Sequence, residues 1–143
     1  MANFDTIKSI TDNLETISKG LGIKFSRAAF ADAASIPASL IPHGRIIYSG
    51  ERFENTHGER PGYVEASFDL LVVVKGRRGA DVMRTEQDWV HRLRGAFSVA
   101  GLNTGELASS KLVSRVDTTS FDMDNGAEFS VLTYKITVRY REL

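Results

Sequence analysis

Near the N-terminus, apolar residues recur every three or four positions, and charged residues fill the positions between them. The apolar positions of this stretch are Phe4, Ile7, Ile10, Leu14, Ile17 and Leu21. This spacing predicts an amphipathic helix over residues 3–20. Asn3 or Asp5 can cap its start, and Gly20 or Gly22 can end it.

The next part of the chain mixes short apolar runs with Pro37, Pro42 and Gly44. This pattern favours a meandering connection followed by a strand near residues 44–53. Residues 50–62, GERFENTHGERPG, are polar and contain several turn-forming residues. We therefore expect a long loop or the tip of a projecting hairpin there.

A strand is predicted over the run YVEASFDLLVVVK, residues 63–75. Its apolar residues of one parity are Val64, Ala66, Phe68, Leu70, Val72 and Val74. The other parity begins polar and turns apolar at Leu71 and Val73. We therefore expect a strand that is half buried at its start and buried on both faces at its end.

A second amphipathic helix is predicted after the segment KGRRG. Its apolar positions at helical spacing are Val82, Val90, Leu93, Phe97 and Ala100. Asp81 is the expected N-cap, and the helix should end near Gly101.

The C-terminal third predicts a long hairpin, because Asn125-Gly126 separates two strand-like runs and favours a two-residue turn. A β-bulge near Val131 or Leu132 would restore the alternation of the last strand. The resulting register places Val116 opposite Ile136, Leu112 opposite Tyr140 and Asp117 opposite Lys135.

Together these elements predict a single domain over residues 1–143 with an α+β fold. A mainly antiparallel twisted sheet carries a long C-terminal hairpin, and two amphipathic helices pack on one of its faces.

Charge and composition restrict the kinds of binding partner and chemistry that we expect. The 18 basic and 18 acidic residues balance, so no overall charge attracts nucleic acid or an anionic membrane. The absence of cysteine excludes thiol catalysis, disulfides and thiolate metal sites. No apolar run approaches the roughly 18 residues of a membrane span, and no signal-peptide pattern is visible. We expect a protein made in the cytoplasm.

No motif indicates catalysis or metal binding. His43, His57 and His91 lack metal-ligand spacing, and no serine lies in a G-x-S-x-G motif. The run DMDNGAE has its glycine one position too early for a calcium-binding EF-hand loop. GRRGAD satisfies neither phosphate-binding glycine motif, so it is interpreted as a polar turn. We expect no enzyme activity, no cofactor and no metal.

In size and element order the chain resembles the tail terminator, or tail completion, proteins of long-tailed bacteriophages and prophages. The resemblance rests on the N-terminal amphipathic helix and on diffuse patterns along nearly the whole chain. These patterns are SIPASLIPHGRIIY, FDLLVVVKG, TEQDWVHRLRGAF and YKITVRYREL.

The resemblance implies a structural subunit that forms a ring, usually a hexamer, on the last ring of the tail tube. Such a ring stops tube growth and presents a surface to the head-to-tail connector. The implied partners are copies of the chain itself, the tail tube protein and the connector protein, with no membrane and no sequence-specific nucleic acid. The implied location is the host cytoplasm during assembly and then the virion tail.

Charged residues in predicted loops and turns are the candidates for these protein contacts. They are Arg52, Glu54, His57, Glu59, Arg60, Arg77, Arg78, Asp122 and Asp124. Two other hypotheses stay open. One is another head-to-tail connector or a tube-like subunit, and the other is a small ligand-binding protein or enzyme with a pocket between helix and sheet.

Overall fold

The computed structural model describes residues 3–25, 36–54, 62–75, 80–125 and 129–141. Its main elements are, in chain order, helix α1 (Asn3–Gly20), strands β1 (His43–Glu54) and β2 (Tyr63–Lys75), helices α2 (Ala80–Ala96) and α3 (Val99–Leu102), and strands β3 (Val113–Asn125) and β4 (Phe129–Arg141). Two single 3-10 turns, Ala38–Leu40 and Gly105–Leu107, lie in the connections.

The four strands form one antiparallel sheet in the order β1-β2-β4-β3. β2 and β4 are central, and β1 and β3 are the edges. Because every strand runs antiparallel to its neighbour, the two edge strands run in opposite directions. The predicted α+β fold with a long C-terminal hairpin is confirmed.

The helices cover one face of the sheet. The sheet residues buried on this covered face are Val64, Ala66, Phe68, Leu70, Val72, Val74, Leu132, Tyr134, Ile136, Val138 and Tyr140. Leu14 of α1, Leu93 of α2 and Leu102 of α3 belong to the same apolar cluster. Each such side chain contributes about 1.5–3 kcal/mol of transfer free energy when fully buried.

The opposite, outer face of the sheet is only partly shielded. Leu71 and Val73 are half-buried, so the expectation that β2 is buried on both faces at its end was wrong. The reason is that the described helices all pack on the covered face.

Helix α1 has the predicted bounds. Its end is closed by Gly22, whose N–H donates to Lys19 O at 3.0 Å and whose φ is 91°. A residue with a side chain is strained in this left-handed conformation, which explains the glycine. Facing the core, the fully buried Ser18 donates its hydroxyl to Leu14 O at 2.8 Å.

The predicted loop over residues 50–62 is too long at its start. Gly50 to Glu54 belong to β1 and pair with β2. Gly50, with a φ of 132°, lies in a β-bulge, and the strand continues beyond it instead of ending in a turn. Residues 55–61 of the expected loop lie outside the described residues.

The second predicted helix is divided in two. The chain leaves α2 after Ala96, and Ser98 starts α3 by accepting a hydrogen bond from the N–H of Gly101 at 3.0 Å. A serine at this position closes an orphan N–H and begins a new helix. Asp81 lies inside the first turn of α2, which begins at Ala80, so its assignment as the N-cap was wrong.

The C-terminal hairpin has a different register from the one predicted. Val116 lies opposite Val138, Asp117 opposite Thr137, and Val113 opposite Tyr140. Asn125 pairs with Ser130, so the connection is longer than a two-residue turn.

The bulges of this hairpin lie on β3, at Ser114 and Thr119, and not on β4. β4 pairs regularly with β2 along its whole length. A central strand is hydrogen-bonded on both sides, so an extra residue is accommodated more easily in the neighbouring edge strand. This explains why the bulge predicted in β4 lies in β3 instead. As a result β3 bends while β4 stays regular.

Candidate assembly interface

Strand β1 is an edge strand, and described residues pair with its outer side only at its start. Gly44 N–H donates to Lys24 O at 2.8 Å, and Lys24 N–H donates to Pro42 O at 2.9 Å. Within the described ranges, Lys24 is the only residue that pairs with this side. We call residues 45–54 the β1 edge.

The hydrogen-bonding direction along β1 follows from Gly44. In an antiparallel pair, residues whose N–H and C=O groups bond to the partner strand alternate with residues whose groups point away. The backbone N–H of Gly44 points away from β2. The same alternation, counted through the bulge after Tyr48, gives the other β1 residues whose backbone groups point away. These outward-pointing residues are Ile46, Tyr48, Glu51 and Phe53.

The bulge at Ser49 also brings two polar groups to one face. Without it, Tyr48 and Glu51 would lie on opposite faces of the strand, because side chains alternate. With it, both lie on the covered face at the margin of the sheet. Buried Tyr140 donates its hydroxyl to Glu51 Oε1 at 3.1 Å. The carboxylate is therefore tied to a central strand.

Tyr48 is the most exposed large hydrophobic residue among those described, at 49%. Its ring meets Phe68 edge-to-face at 5.7 Å. Partial burial, a hydrogen bond with Glu51 and the charge of that carboxylate raise the pKa of Tyr48 to about 12. At neutral pH the phenol is therefore protonated and available as a donor beside an anionic acceptor.

Strand β3 is the opposite edge, and a side chain closes its start. Val113 N–H donates to Asn103 Oδ1 at 3.0 Å, and Asn103 Nδ2 donates to Val113 O at 2.9 Å. The amide thus takes the place of one residue of a neighbouring strand. We call residues 115–124 the β3 edge, and no described residue pairs with its outer side.

The outward-pointing residues of the β3 edge follow from the same alternation. The backbone groups of Val113 bond to Asn103, so they point away from β4. Val113 lies opposite Tyr140 of β4, which has no bulge. Every second residue of β4, counted from Tyr140, therefore lies opposite a β3 residue whose backbone N–H and C=O point away from β4. The β3 residues at this phase are Val116, Thr118, Phe121 and Met123.

The outer face of the sheet carries charges of both signs. Arg115 Nε lies 2.7 Å from Asp117 Oδ2, with side-chain exposures of 64% and 43%. The guanidinium of Arg139 stacks 4.0 Å from the ring centre of Tyr63. At such exposure an ion pair contributes only about 0–1 kcal/mol to stability. These charges are better suited to selecting a partner than to stabilising the fold.

The structure does not gather the predicted contact residues into one cluster. Arg52 and Glu54 lie on β1, and Asp122 and Asp124 lie on β3, at the other edge of the sheet. His57, Glu59, Arg60, Arg77 and Arg78 lie outside the described residues.

Sequence reasoning missed Tyr48, Glu51 and Asn103. The pair Gly50-Glu51 inside an apolar alternation was a usable signal of a bulge. Nothing in the sequence marks the Asn103 amide as a partner for a strand edge, because that contact depends on how α3 is placed.

The described ranges contain no group of three or more His, Cys, Asp or Glu residues able to hold a metal ion. His43 is buried, and burial lowers its pKa from 6.5, while His91 is exposed on α2. None of the helices described is both long and apolar enough to cross a membrane.

Sequence comparison does not assign the chain to a protein family. No protein-family model matches it, and no curated protein is significantly similar in sequence.

Proposed function

We propose that this protein is a structural subunit that assembles with copies of itself into a closed ring and acts as a tail terminator of a long-tailed phage or prophage. The ring would cap the tail tube and join it to the head connector. The tail tube protein and the connector would be its partners, in the host cytoplasm during assembly and then in the virion tail. No catalytic role is proposed.

One observation carries the self-assembly part of this proposal: beyond the start of each edge strand, no described residue pairs with its outer side. Unpaired strand edges are templates for pairing with another chain, and natural proteins usually shorten, cover or charge them. Here each edge extends over most of a strand of 12 or 13 residues. Pairing with one neighbouring copy on each side would satisfy both edges.

The direction of the edges is compatible with a ring. Because β1 and β3 run in opposite directions, the β1 of a neighbouring copy can continue the antiparallel order next to β3. This contact is heterologous, since different surfaces meet, and repeated contacts of this kind close into a ring if the rotation allows it. A closed ring leaves no free edge.

The tail-terminator assignment itself rests on the resemblance in size and element order. The candidates for contact with the tube or connector remain the predicted loop at residues 50–62, whose residues 50–54 lie in β1, and the hairpin tip at residues 122–126. Arg77 and Arg78 remain candidates for contact with an acidic surface of a protein partner. A tube-like subunit is the alternative that the open edges also favour. It would differ in stacking ring upon ring.

The test combines solution mass with electron microscopy. The purified protein should form closed rings of one fixed mass, and rings mixed with polymerised tail tubes of the same phage should sit singly at tube ends. Rings that stack into tubes unaided would show a tube subunit. A small-molecule ligand that raises the melting temperature of a persistent monomer would favour the ligand-binding alternative.

A further inference from the structure

The two open edges share one spacing. The outward-pointing residues are 46, 48, 51 and 53 on β1, and 116, 118, 121 and 123 on β3. In both edges a bulge separates the second from the third. An antiparallel alignment can therefore match all of these backbone groups at once, with bulge opposite bulge.

We propose that β1 of one copy pairs antiparallel with β3 of the next copy, with Tyr48 opposite Phe121 and Glu51 opposite Thr118. This inference deepens the proposed ring, on which it rests, by naming its contact and register. The occupant of each edge is a second copy of this chain.

The local caps mark the ends of this pairing. Lys24 occupies the side of Gly44 just before the β1 edge begins, and Asn103 occupies the side of Val113 just before the β3 edge begins. In the proposed register Arg45 faces Asp124, and Glu54 faces Arg115. Each cap thus lies just beyond the last pair at one end, and neither blocks the interface.

Side chains support the same register. Tyr48 and Phe121 are both on the covered face, where Phe121 meets Tyr134 edge-to-face at 6.2 Å. Facing Phe121 would give the exposed ring of Tyr48 an aromatic cross-strand partner, which is a stabilising pairing. The Thr118 hydroxyl would face the Glu51 carboxylate.

Charges separate this register from its neighbours. Arg52, which is exposed, faces Asp117, and two further residue pairs are opposite in sign, Arg45 with Asp124 and Glu54 with Arg115. A slip of two residues in one direction places Arg52 opposite Arg115. A slip in the other direction places Glu54 opposite Asp117. Both slips oppose like charges, which is destabilising, and both misalign the bulges.

Cysteine cross-linking tests the pairing directly, since the chain has no cysteine of its own. In the proposed register, positions 52 and 117 form a non-hydrogen-bonded pair, whose Cα atoms lie about 4.5 Å apart, within the range that a disulfide spans. Within one copy the two positions lie on opposite edges, more than about 14 Å apart at the usual strand spacing. Any disulfide between them must therefore join two copies.

The variant Arg52→Cys/Asp117→Cys should give, under mild oxidation, a ladder of covalent dimers, trimers and larger species. The matched control Arg52→Cys/Arg115→Cys, which reports the slipped register, should give at least tenfold less cross-linking. A stronger ladder from the control would overturn the register. An oligomer without disulfides in either variant would overturn edge pairing while leaving the proposed ring intact, and a strict monomer would overturn both.

Thr118→Pro gives a second test that does not use cysteine. The Thr118 N–H points away from β4, so proline at this edge position removes an intermolecular donor and no bond within the sheet. The concentration for half-assembly should rise roughly tenfold or more, as expected for one lost hydrogen bond, with an unchanged monomer circular dichroism spectrum. Thr118→Val keeps the N–H and loses only the hydroxyl that would face Glu51, so its half-assembly concentration should rise much less than that of Thr118→Pro. Equal assembly of both variants would contradict the proposed pairing.

Discussion

Asn103 offers the sharpest test of how the sheet edge is closed. Its amide makes two hydrogen bonds with the backbone of Val113, at 3.0 Å and 2.9 Å, and Val113 is only 2% exposed. Asn103→Ala removes both partners and leaves a buried N–H and a buried C=O unsatisfied. We expect it to destabilise the fold measurably.

The expected magnitude follows from these two groups. Leaving a buried donor or acceptor unpaired costs about 1–3 kcal/mol. Since water can reach the vacated position in part, we expect a total loss of about 2–4 kcal/mol. At about 4 °C per kcal/mol for a chain of this length, the melting temperature should fall by about 8–16 °C.

Urea unfolding, followed by circular dichroism at protein concentrations low enough to avoid assembly, measures this loss. Thr16→Ala is the control, because it removes a hydroxyl that donates to Asp12 O in an exposed helical position, and it should change stability by less than about 0.5 kcal/mol. A loss for Asn103→Ala as small as that of the control would refute the role of the amide as an edge cap.

Three further predictions concern packing and pH. Gly44→Ala should destabilise the fold by about 1–3 kcal/mol in urea unfolding, because its new Cβ would clash with the side chain of Ile23. Gly95→Ala in helix α2, where a Cβ would meet no atom within 4 Å, should be neutral or stabilising. Equal effects of the two substitutions would contradict the packing around Gly44. Burial lowers the pKa of His43 below 6.5, so the unfolded state takes up a proton before the folded state does. The free energy of unfolding should therefore fall as the pH drops below about 6.5. His43→Phe should reduce this pH dependence in unfolding experiments between pH 8 and 5. The pKa of Tyr48 is raised from 10.0 to about 12, so stability should decline as the pH rises from 10 to 12, and a decline of the same size in Tyr48→Phe would show that this phenol is not the cause.

The sequence predicted the elements that have strong periodicity. The bounds of α1 and β2 agree with their apolar spacing, and the parity of β2 identified the covered face. These predictions succeed because the buried face of a helix or strand requires apolar residues at a regular spacing, and that spacing can be read from the sequence.

The details of the edges could not be predicted in the same way. The bulges at Ser49, Ser114 and Thr119 depend on the ladder that each edge strand forms with its neighbour, not on local propensity. The only sign in the sequence of the break between α2 and α3 is Ser98. A serine also occurs at ordinary exposed helix positions, so this sign is weak. Thus the site that we propose for assembly lies where local sequence carries the weakest signal.

The most direct test of the central claim is the solution mass of the chain, measured by light scattering over a wide range of protein concentrations. We predict a closed oligomer of constant mass, about six times the 15.8 kDa of one chain, which dissociates to monomers on dilution without growing further at high concentration. A monomer at every concentration, or a dimer that never grows, would contradict the pairing of two different edges into a ring.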